Sequence, residues 1–319
     1  MTNVLAAAPH YDRLRMVLGE SDPAMSASMG QSLRNRGIRQ LQTCTGTDQL
    51  FNSLDSEIVD LLVYDYDMLG NDFIDVMQRI RRKARGKNPF VIIVATVKDS
   101  AAETVQRLIG GGVDDLIRKP FSVDRLFESI GTFSQERKPF FVSYNYVGPT
   151  RRTGQRAIEP ANQIIRVPNT LRSRAIELIG DEELERIVNN AIHGLEDKQI
   201  EALGIEIDVL AARVADRYGA PAKEDEQDVR GWLFRLETVA DELRKRSRGT
   251  RYERVSELAT MVIALTQRTG RSQGVAPGIE VQLLTKLSAA IRRALSVERN
   301  SVDVMREISR TIADFTRSH

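Results

Sequence analysis

The chain has 319 residues, of which 41% are hydrophobic and 28% are charged. This is the balance of a folded globular protein, and the length suffices for two domains of ordinary size. The 46 basic and 44 acidic side chains give a formal net charge of only +2. Proteins that bind nucleic acid usually carry a stronger and more local basic excess. The charge therefore argues against an extended nucleic-acid surface and leaves open only a small basic patch.

Cysteine and histidine are too scarce to build a disulfide or a zinc site. The sequence contains one cysteine, Cys44, and its three histidines lie far apart, at His10, His193 and His319. No run approaches the roughly 20 apolar residues that a membrane span requires. The start of the chain lacks the basic leader of a signal peptide. We therefore expect a reduced, soluble, cytoplasmic protein.

Residues 14–130 alternate short apolar runs with amphipathic stretches. This alternation is typical of a parallel sheet with helices on both faces. The predicted strands are residues 14–18, 38–43, 60–64, 90–95 and 115–117. The predicted helices include residues 24–36 and 73–85. The third and fourth runs are almost uniformly apolar, as expected for strands that are covered on both faces. The fold class is therefore α/β, with a doubly wound five-stranded parallel sheet.

The rest of the chain divides into a connector and a helical region. Prolines 139, 149, 160 and 168 punctuate residues 136–168 and predict an extended linker, with room for a short strand at 140–144. From Asn169 onward, apolar residues recur at helical spacing. The stripes lie in residues 184–192, 203–214, 232–243, 255–265, 283–295 and 302–315, separated by predicted turns such as 219–223 and 270–278. We predict three parts: an α/β domain at 13–135, a linker at 136–168, and an all-helical bundle of about six helices at 169–319.

Polar residues follow four of the predicted strands, at the edge of the sheet where ligands bind in open α/β folds. They are Glu20, Ser21, Asp22, Asp65, Thr96 and Lys119. A carboxylate can attack phosphorus, and acidic neighbours can hold Mg²⁺. A hydroxyl can donate to a phosphoryl oxygen, and a lysine can neutralise its charge. The sequence therefore predicts a phosphoryl-transfer site at this edge.

Two segments resemble the receiver domain of response regulators over roughly residues 13–135. Residues 60–70 resemble the phosphorylation strand, with Asp65 at the acceptor position, and residues 112–121 carry a matching Lys119-Pro120-Phe121. The resemblance implies a flavodoxin-like fold and a phosphoryl group on Asp65, donated by a histidine kinase or phosphotransfer protein. The resemblance also implies that Thr96 and Lys119 take the roles of hydroxyl and lysine, and that the Lys119–Pro120 bond is a candidate for the cis form. It implies no enzymatic activity beyond this self-catalysed transfer.

The resemblance also implies a metal site, from which this sequence departs. Receivers carry two adjacent acids after the first strand, whereas here Glu20 is followed by Ser21. The implied Mg²⁺ ligands are Glu20, Asp65 and the backbone carbonyl of Asp67, with Asp22 as a nearby acid that could compensate. Ser21 is expected to weaken binding of the metal.

The switch position that is usually aromatic in receivers is Leu116 or Ile117 in this sequence. The resemblance therefore implies a switch that does not use the rotation of an aromatic side chain.

The helical half contains no glycine-rich phosphate loop, metal cluster or nucleophile-elbow motif. We expect it to bind a protein target or to form a homodimer. The basic run 244–251 is explained by the C-terminal end of a helix, where cations complement the dipole. His193 is expected to be an exposed helical residue, not a phosphotransfer histidine.

Three alternatives stay open for the function of the chain. One is a phosphorylation-independent scaffold, and another is an enzymatic output domain. The third is a DNA-binding transcriptional regulator that uses Arg246 and Arg248.

Overall fold

The computed structural model describes residues 9–69, 72–98, 101–151, 163–219, 226–271 and 278–296. The chain divides into two compact units, Met1–Leu195 and Glu196–His319. Within the described ranges, every helix is too short or too polar to cross a membrane. The predicted helical stripe at 302–315 lies outside the described residues, as do Gly70 and most of the predicted turns at 219–223 and 270–278.

The first unit is built on a five-stranded parallel sheet in the order β2-β1-β3-β4-β5. Its strands are β1 Arg15–Gly19, β2 Gln40–Cys44, β3 Leu61–Asp65, β4 Ile92–Val97 and β5 Asp115–Arg118. Each lies within two residues of its predicted position. The prediction of a doubly wound, flavodoxin-like fold is therefore confirmed.

Helices cover both faces of this sheet. They are α1 Pro23–Asn35, α2 Thr47–Ser56, α3 Tyr66–Leu69, α4 Phe73–Arg81, α5 Ala102–Gly111 and α6 Val123–Gln135. Every residue of β3 and β4 is buried. Because successive side chains of a strand point to opposite faces, Leu61 joins the hydrophobic cluster under Leu126, and Leu62 joins the cluster under Phe73. This explains why the two central runs are apolar throughout.

The structure differs from the expected linker at 136–168. Three short strands, β6 Phe140–Val142, β7 Val147–Pro149 and β8 Ile164–Ile165, form an antiparallel sheet in the order β7-β6-β8. Phe140 and Val147 are buried. Proline predicts an interruption of helix, but it is compatible with an edge strand, which is where Pro149 lies.

The expected start of the helical domain at residue 169 also differs. Helix α7 (Thr170–Ala175) belongs to the first unit, because Leu171 and Ala175 pack in the same cluster as Leu14 and Ile130. The boundary between the units instead follows Leu195. A helix this short shows too little periodicity to reveal which core it covers.

A buried ion pair attaches α7 to the sheet. Asp60, which precedes β3, is fully buried, and Arg174 Nε lies 2.9 Å from its Oδ2. The backbone N–H of Arg15 donates to the same oxygen at 3.0 Å, and Arg174 also binds Asp181. Burial raises the pKa of Asp60 to about 7, although Arg174 acts to lower it. Arg174 therefore favours the charged form of a carboxylate whose protonated form is favoured by burial.

The second unit is helical in its described parts. Its elements come from α8 (Asp181–Gly219), α9 (Glu226–Ser247), α10 (Glu253–Arg271) and α11 (Gly278–Ser296). The first two predicted stripes both lie in α8, which is a single helix of 39 residues. The prediction of a mostly helical C-terminal region is confirmed.

Helices α9 and α10 form an antiparallel hairpin. Near the turn, Ser256 Oγ donates to the carbonyl of Arg244 at 3.1 Å. Further from the turn, Gln267 Nε2 donates to Glu237 Oε1 at 2.7 Å. Contacts at both levels show that the two helices run side by side along their length.

We predict that Arg174→Leu destabilises the protein by about 3–5 kcal/mol at pH 8, because it leaves a buried carboxylate without its cation. The raised pKa of Asp60 means that the folded state holds a proton that the unfolded state has released above roughly pH 4. Stability therefore falls as the pH rises through this window, and the deficit of the variant should be smaller at pH 5. Urea unfolding at both pH values measures it.

Arg172→Leu is the matched control, since Arg172 lies on the same helix but is 43% exposed and pairs with Glu177. It should cost less than about 1 kcal/mol. Equal losses in the two variants would contradict an anchoring role for the buried pair.

Candidate functional site

Four predicted site residues meet at the carboxyl ends of the parallel strands. Asp65 ends β3 and Glu20 directly follows β1, while Thr96 lies opposite Asp65 in the register of β4. Lys119 follows β5, and its Nζ is 2.6 Å from Glu20 Oε2 and 3.0 Å from Asp65 Oδ2. All four side chains are nearly inaccessible, with Asp65 only 1% exposed. The structure thus brings together two acids, a hydroxyl and a shared lysine.

The end of β1 is held against β3 by a close contact. A Cβ atom built on Gly19 would lie 2.3 Å from the ring of Tyr64, which is itself fully buried. Because Gly19 precedes Glu20 and Tyr64 precedes Asp65, this contact sets the separation of the two acids. Sequence analysis missed Gly19, and no pattern in the sequence singles it out.

The approach of Lys119 is fixed by its backbone. Its N–H donates to the carbonyl of Val97 at 2.7 Å, next to Thr96. The peptide bond between Lys119 and Pro120 is cis, as the sequence resemblance implied.

Burial and charge act in opposite directions on the site. Burial raises the pKa of Asp65, and the nearby Glu20 and Asp67 reinforce this, whereas Lys119 lowers it. Burial alone would lower the pKa of Lys119, but its hydrogen bonds to Glu20 and Asp65 give a net increase. Lys119 is therefore firmly cationic. Asp65 Oδ1 is buried without a hydrogen-bond partner, so one carboxylate oxygen has lone pairs that no protein group uses.

The remaining acids around the site have different roles. Asp22 is exposed and caps α1, where its Oδ1 accepts from the N–H groups of Ala24 and Met25 at 2.8 and 3.2 Å. This capping role explains its presence without a metal. Asp67 lies in α3, with its carboxylate 3.5 Å from Lys98 Nζ, a pairing that sequence analysis did not anticipate. Ser21 is exposed.

The residues present still suit a hard cation such as Mg²⁺. Among the described residues, no group of three or more acidic, histidine or cysteine side chains could hold a metal. However, the unpartnered Asp65 Oδ1 and the carboxylate of Glu20 supply the oxygen ligands that Mg²⁺ prefers, and Mg²⁺ usually needs only one or two carboxylates. The protein-derived ligand set is smaller than that of the family pattern, because Ser21 supplies no carboxylate.

Two acids on the same helix pair with three of the five cations in the basic run 244–251. Arg244 and Lys245 pair with Asp241 at 2.6 and 2.7 Å, and Arg246 pairs with Glu242 at 2.6 Å. Arg248 is exposed. His193 is exposed on α8, as expected.

The family model for the response regulator receiver domain matches residues 17–131. This part of the chain is a receiver domain. The match covers the whole five-stranded sheet except the first two residues of β1 and includes the candidate site. The family acts in signalling rather than in metabolism.

Solved receiver structures are similar to a part of the chain. A CheY-like receiver domain protein from Methanospirillum hungatei is 17% identical, covering 37% of this chain and 91% of its own, with a TM-score of 0.34. A signal receiver domain from Bermanella marisrubri is 22% identical, covering 37% and 95%, with a TM-score of 0.33.

One curated relative extends beyond the receiver domain. The transcriptional regulatory protein TcrA of Mycobacterium tuberculosis is 26% identical over 231 residues, which is 70% of this chain and 87% of TcrA. Because the family match spans only residues 17–131, this alignment includes a large part of the chain outside the receiver domain. Together with the family match, it supports a two-component response regulator.

We predict that Gly19→Ala destabilises the receiver domain by about 1–3 kcal/mol, because the added methyl group overlaps a buried ring that cannot move freely. Urea unfolding measures the loss. The control is Gly131→Ala in α6, where an added Cβ meets no atom within 4 Å. Alanine there should be neutral or stabilising by up to about 1 kcal/mol. A neutral Gly19→Ala would contradict the role of this contact in spacing the two acids.

Proposed function

We propose that this protein is a response regulator that accepts a phosphoryl group on Asp65 from a histidine kinase or a phosphotransfer protein. The observation that carries the proposal is the state of the Asp65 carboxylate. One of its oxygens is paired with Lys119 at 3.0 Å, and the other has no partner, so it is available as a nucleophile. Thr96 lies beside it in the ladder.

In the transfer, Asp65 Oδ1 forms a bond to phosphorus while the bond from phosphorus to the donor's imidazole nitrogen breaks. The electron pair of that bond returns to the imidazole. Lys119 neutralises charge on the phosphoryl oxygens, and the Thr96 hydroxyl donates a hydrogen bond to one of them. Mg²⁺ held by Glu20, Asp65 and the Asp67 carbonyl would supply further charge neutralisation.

Phosphorylation changes the charge that Lys119 experiences. The phosphoryl group adds roughly 1.5 to 2 negative charges at Asp65. Lys119 is shared between Glu20 and Asp65 beforehand, so its ammonium group is drawn from Glu20 toward the phosphoryl oxygens. The segment that follows β5 moves with it. Since neither Leu116 nor Ile117 is aromatic, this shift takes the place of an aromatic rotation.

The helical unit is proposed as the output domain, binding a protein target or a second copy of the chain in the cytoplasm. The side-by-side packing of α9 and α10 supports this assignment, because such hairpins present long helical faces. A DNA-binding role is the second candidate, favoured by the name of TcrA. The ion-paired basic run and the antiparallel hairpin give it no direct support, since a helix-turn-helix crosses its two helices at a steep angle.

We predict that acetyl phosphate with Mg²⁺ adds one phosphoryl group to the purified full chain, as measured by intact mass. Asp65→Asn should abolish the gain, because it removes the nucleophilic oxygen. Asp67→Asn is the matched control and should retain labelling, since Asp67 is proposed to act through its backbone carbonyl. Chelation of Mg²⁺ should prevent the reaction. No gain under any condition would favour the phosphorylation-independent scaffold.

A second prediction separates the two output classes. Arg246→Ala with Arg248→Ala should leave binding to duplex DNA unchanged over a range of salt concentrations, measured by fluorescence anisotropy of the full phosphorylated chain. Arg246 is already occupied by Glu242. Tight binding that weakens steeply with salt, and that the double variant loses, would instead establish a transcriptional regulator.

A further inference from the structure

Residues 110–114 comprise the last two residues of α5 and the connection to β5, and they are called the turn below. The turn is held by side chains from outside it. Its backbone carbonyls accept hydrogen bonds from Gln78, Arg81 and Arg151. Gln78 and Arg81 belong to α4, whereas Arg151 follows β7. The carbonyls of a surface turn usually accept hydrogen bonds from water. These three protein bonds therefore attach the turn to α4 and to the chain after β7.

Buried charge strengthens this attachment. Asp114 Oδ2 accepts from Arg81 at 2.7 Å and from the Ile93 N–H at 2.8 Å, while Arg137 lies 3.4 Å from its other oxygen. The ring of Phe140, in β6, lies 5.0 Å from the Arg81 guanidinium and 5.3 Å from that of Arg137. The connector thus places an aromatic ring beside the two cations that pair with Asp114. The contact of each cation with the ring is favourable.

Strand β7 is fastened to the same place. The Gln78 side chain donates to the carbonyl of Val147 and accepts from its N–H, both at 3.1 Å. The backbones also touch, since a Cβ atom on Gly148 would lie 2.9 Å from the Cα atom of Gly112. Gly112 itself has a φ of 81°, and a Cβ atom there would lie 2.9 Å from the Val147 carbonyl oxygen. Strand β7 therefore cannot slide over the turn without losing these contacts.

The turn and the phosphorylation site lie at opposite ends of one short strand. Strand β5 contains only four residues, with Asp114 before it and Lys119 after it. The N–H of Asp114 donates to Ile93 at one end of the ladder with β4, and that of Lys119 donates to Val97 at the other, both at 2.7 Å. Extended backbone is nearly inextensible, so a displacement of Lys119 along the strand axis is transmitted to Asp114.

We propose that residues 140–149 form a clasp that couples the state of the phosphorylation site to the chain beyond the receiver domain. The proposal rests on the function assigned to Asp65 above. A shift of β5 moves Gly112 against the clasp, because the Val147 carbonyl and the Gly148 backbone lie in direct contact with it. The clasp follows the turn, since the two backbones would otherwise overlap or separate and Arg151 would lose its bond to the Val113 carbonyl. Coupling is reciprocal, so loosening the clasp alters β5 in the absence of phosphate.

The first test uses hydrogen exchange with mass spectrometry on the unphosphorylated full chain. Gln78→Ala removes both bonds to Val147 and should speed exchange in residues 140–149 roughly five- to tenfold. The decisive region is 115–119, where hydrogen exchange should also increase. Within the described residues, the side-chain hydrogen bonds of Gln78 reach Gly110, Val147 and Arg82, and none reaches 115–119. Gln31→Ala is the control, because Gln31 is exposed and bonds only within α1. If Gln78→Ala fails to fold, Gln78→Glu keeps the acceptor and removes the donor.

The second test adds acetyl phosphate and Mg²⁺, with Asp65→Asn in parallel. Phosphorylation of the wild-type chain should change exchange in residues 140–149, and Asp65→Asn should show no change. Increased exchange in the Gln78 variant that is confined to 140–149 overturns the clasp, whether or not Asp65 is phosphorylated. A phosphorylated chain with unaltered exchange in 140–149 overturns the clasp and leaves the proposed function standing. A chain that gains no phosphate, yet couples 140–149 to 115–119, overturns only the proposed function.

Discussion

A buried carboxylate in the α/β unit requires a cation, and this requirement organises the unit. Three aspartate side chains with almost no exposure lie at strand ends: Asp60 and Asp65 at the two ends of β3, and Asp114 directly before β5. Their cations are Arg174, Lys119 and Arg81. Removing one partner of such a pair strands a charge in a low-dielectric environment, which costs far more than the pair contributes. The segments that supply these cations are therefore tied to the sheet.

The same requirement has different consequences at the two ends of the sheet. Asp60, at the amino end of β3, is covered by α7 and serves to attach that helix. Asp65, at the carboxyl end of the same strand, is bordered by the loops that leave β3 and β4, and its cation is shared with Glu20. A shared cation can be redistributed when new negative charge arrives, whereas the second partner of Arg174, Asp181, lies at the surface and not in a site. The position along one strand thus separates a structural pair from the pair at the proposed phosphorylation site.

The core and the site of the α/β unit could be predicted because each has a local signature. The uniformly apolar runs at 61–64 and 91–95 mark buried central strands, and polar residues at their carboxyl ends mark the site. The contribution of the connector could not be predicted in this way. The roles of Phe140 and Val147 in the connector depend on contacts with Arg81 and Gln78, which are distant in sequence. The role of Arg174 in α7 depends in the same way on Asp60. Proline spacing predicts an extended linker. It could not predict the attachment of this segment, because a local sequence pattern reflects the conformation of the segment and not the surface that the segment contacts.

The helical unit illustrates a different limit on sequence reasoning. Its helices follow from periodicity, but the two stripes at 184–192 and 203–214 belong to one helix, α8. No proline lies between them, and the helix continues through Gly194, whose cost relative to alanine is only about 1 kcal/mol. Its basic run resembles a nucleic-acid patch by composition, yet Asp241 and Glu242 on the same helix pair with three of its five cations. A surface that binds another protein carries no obligatory residue type, whereas phosphoryl transfer demands a carboxylate and a cation in contact. The chemistry proposed for Asp65 can therefore be inferred from the sequence, whereas the identity of the proposed output partner cannot.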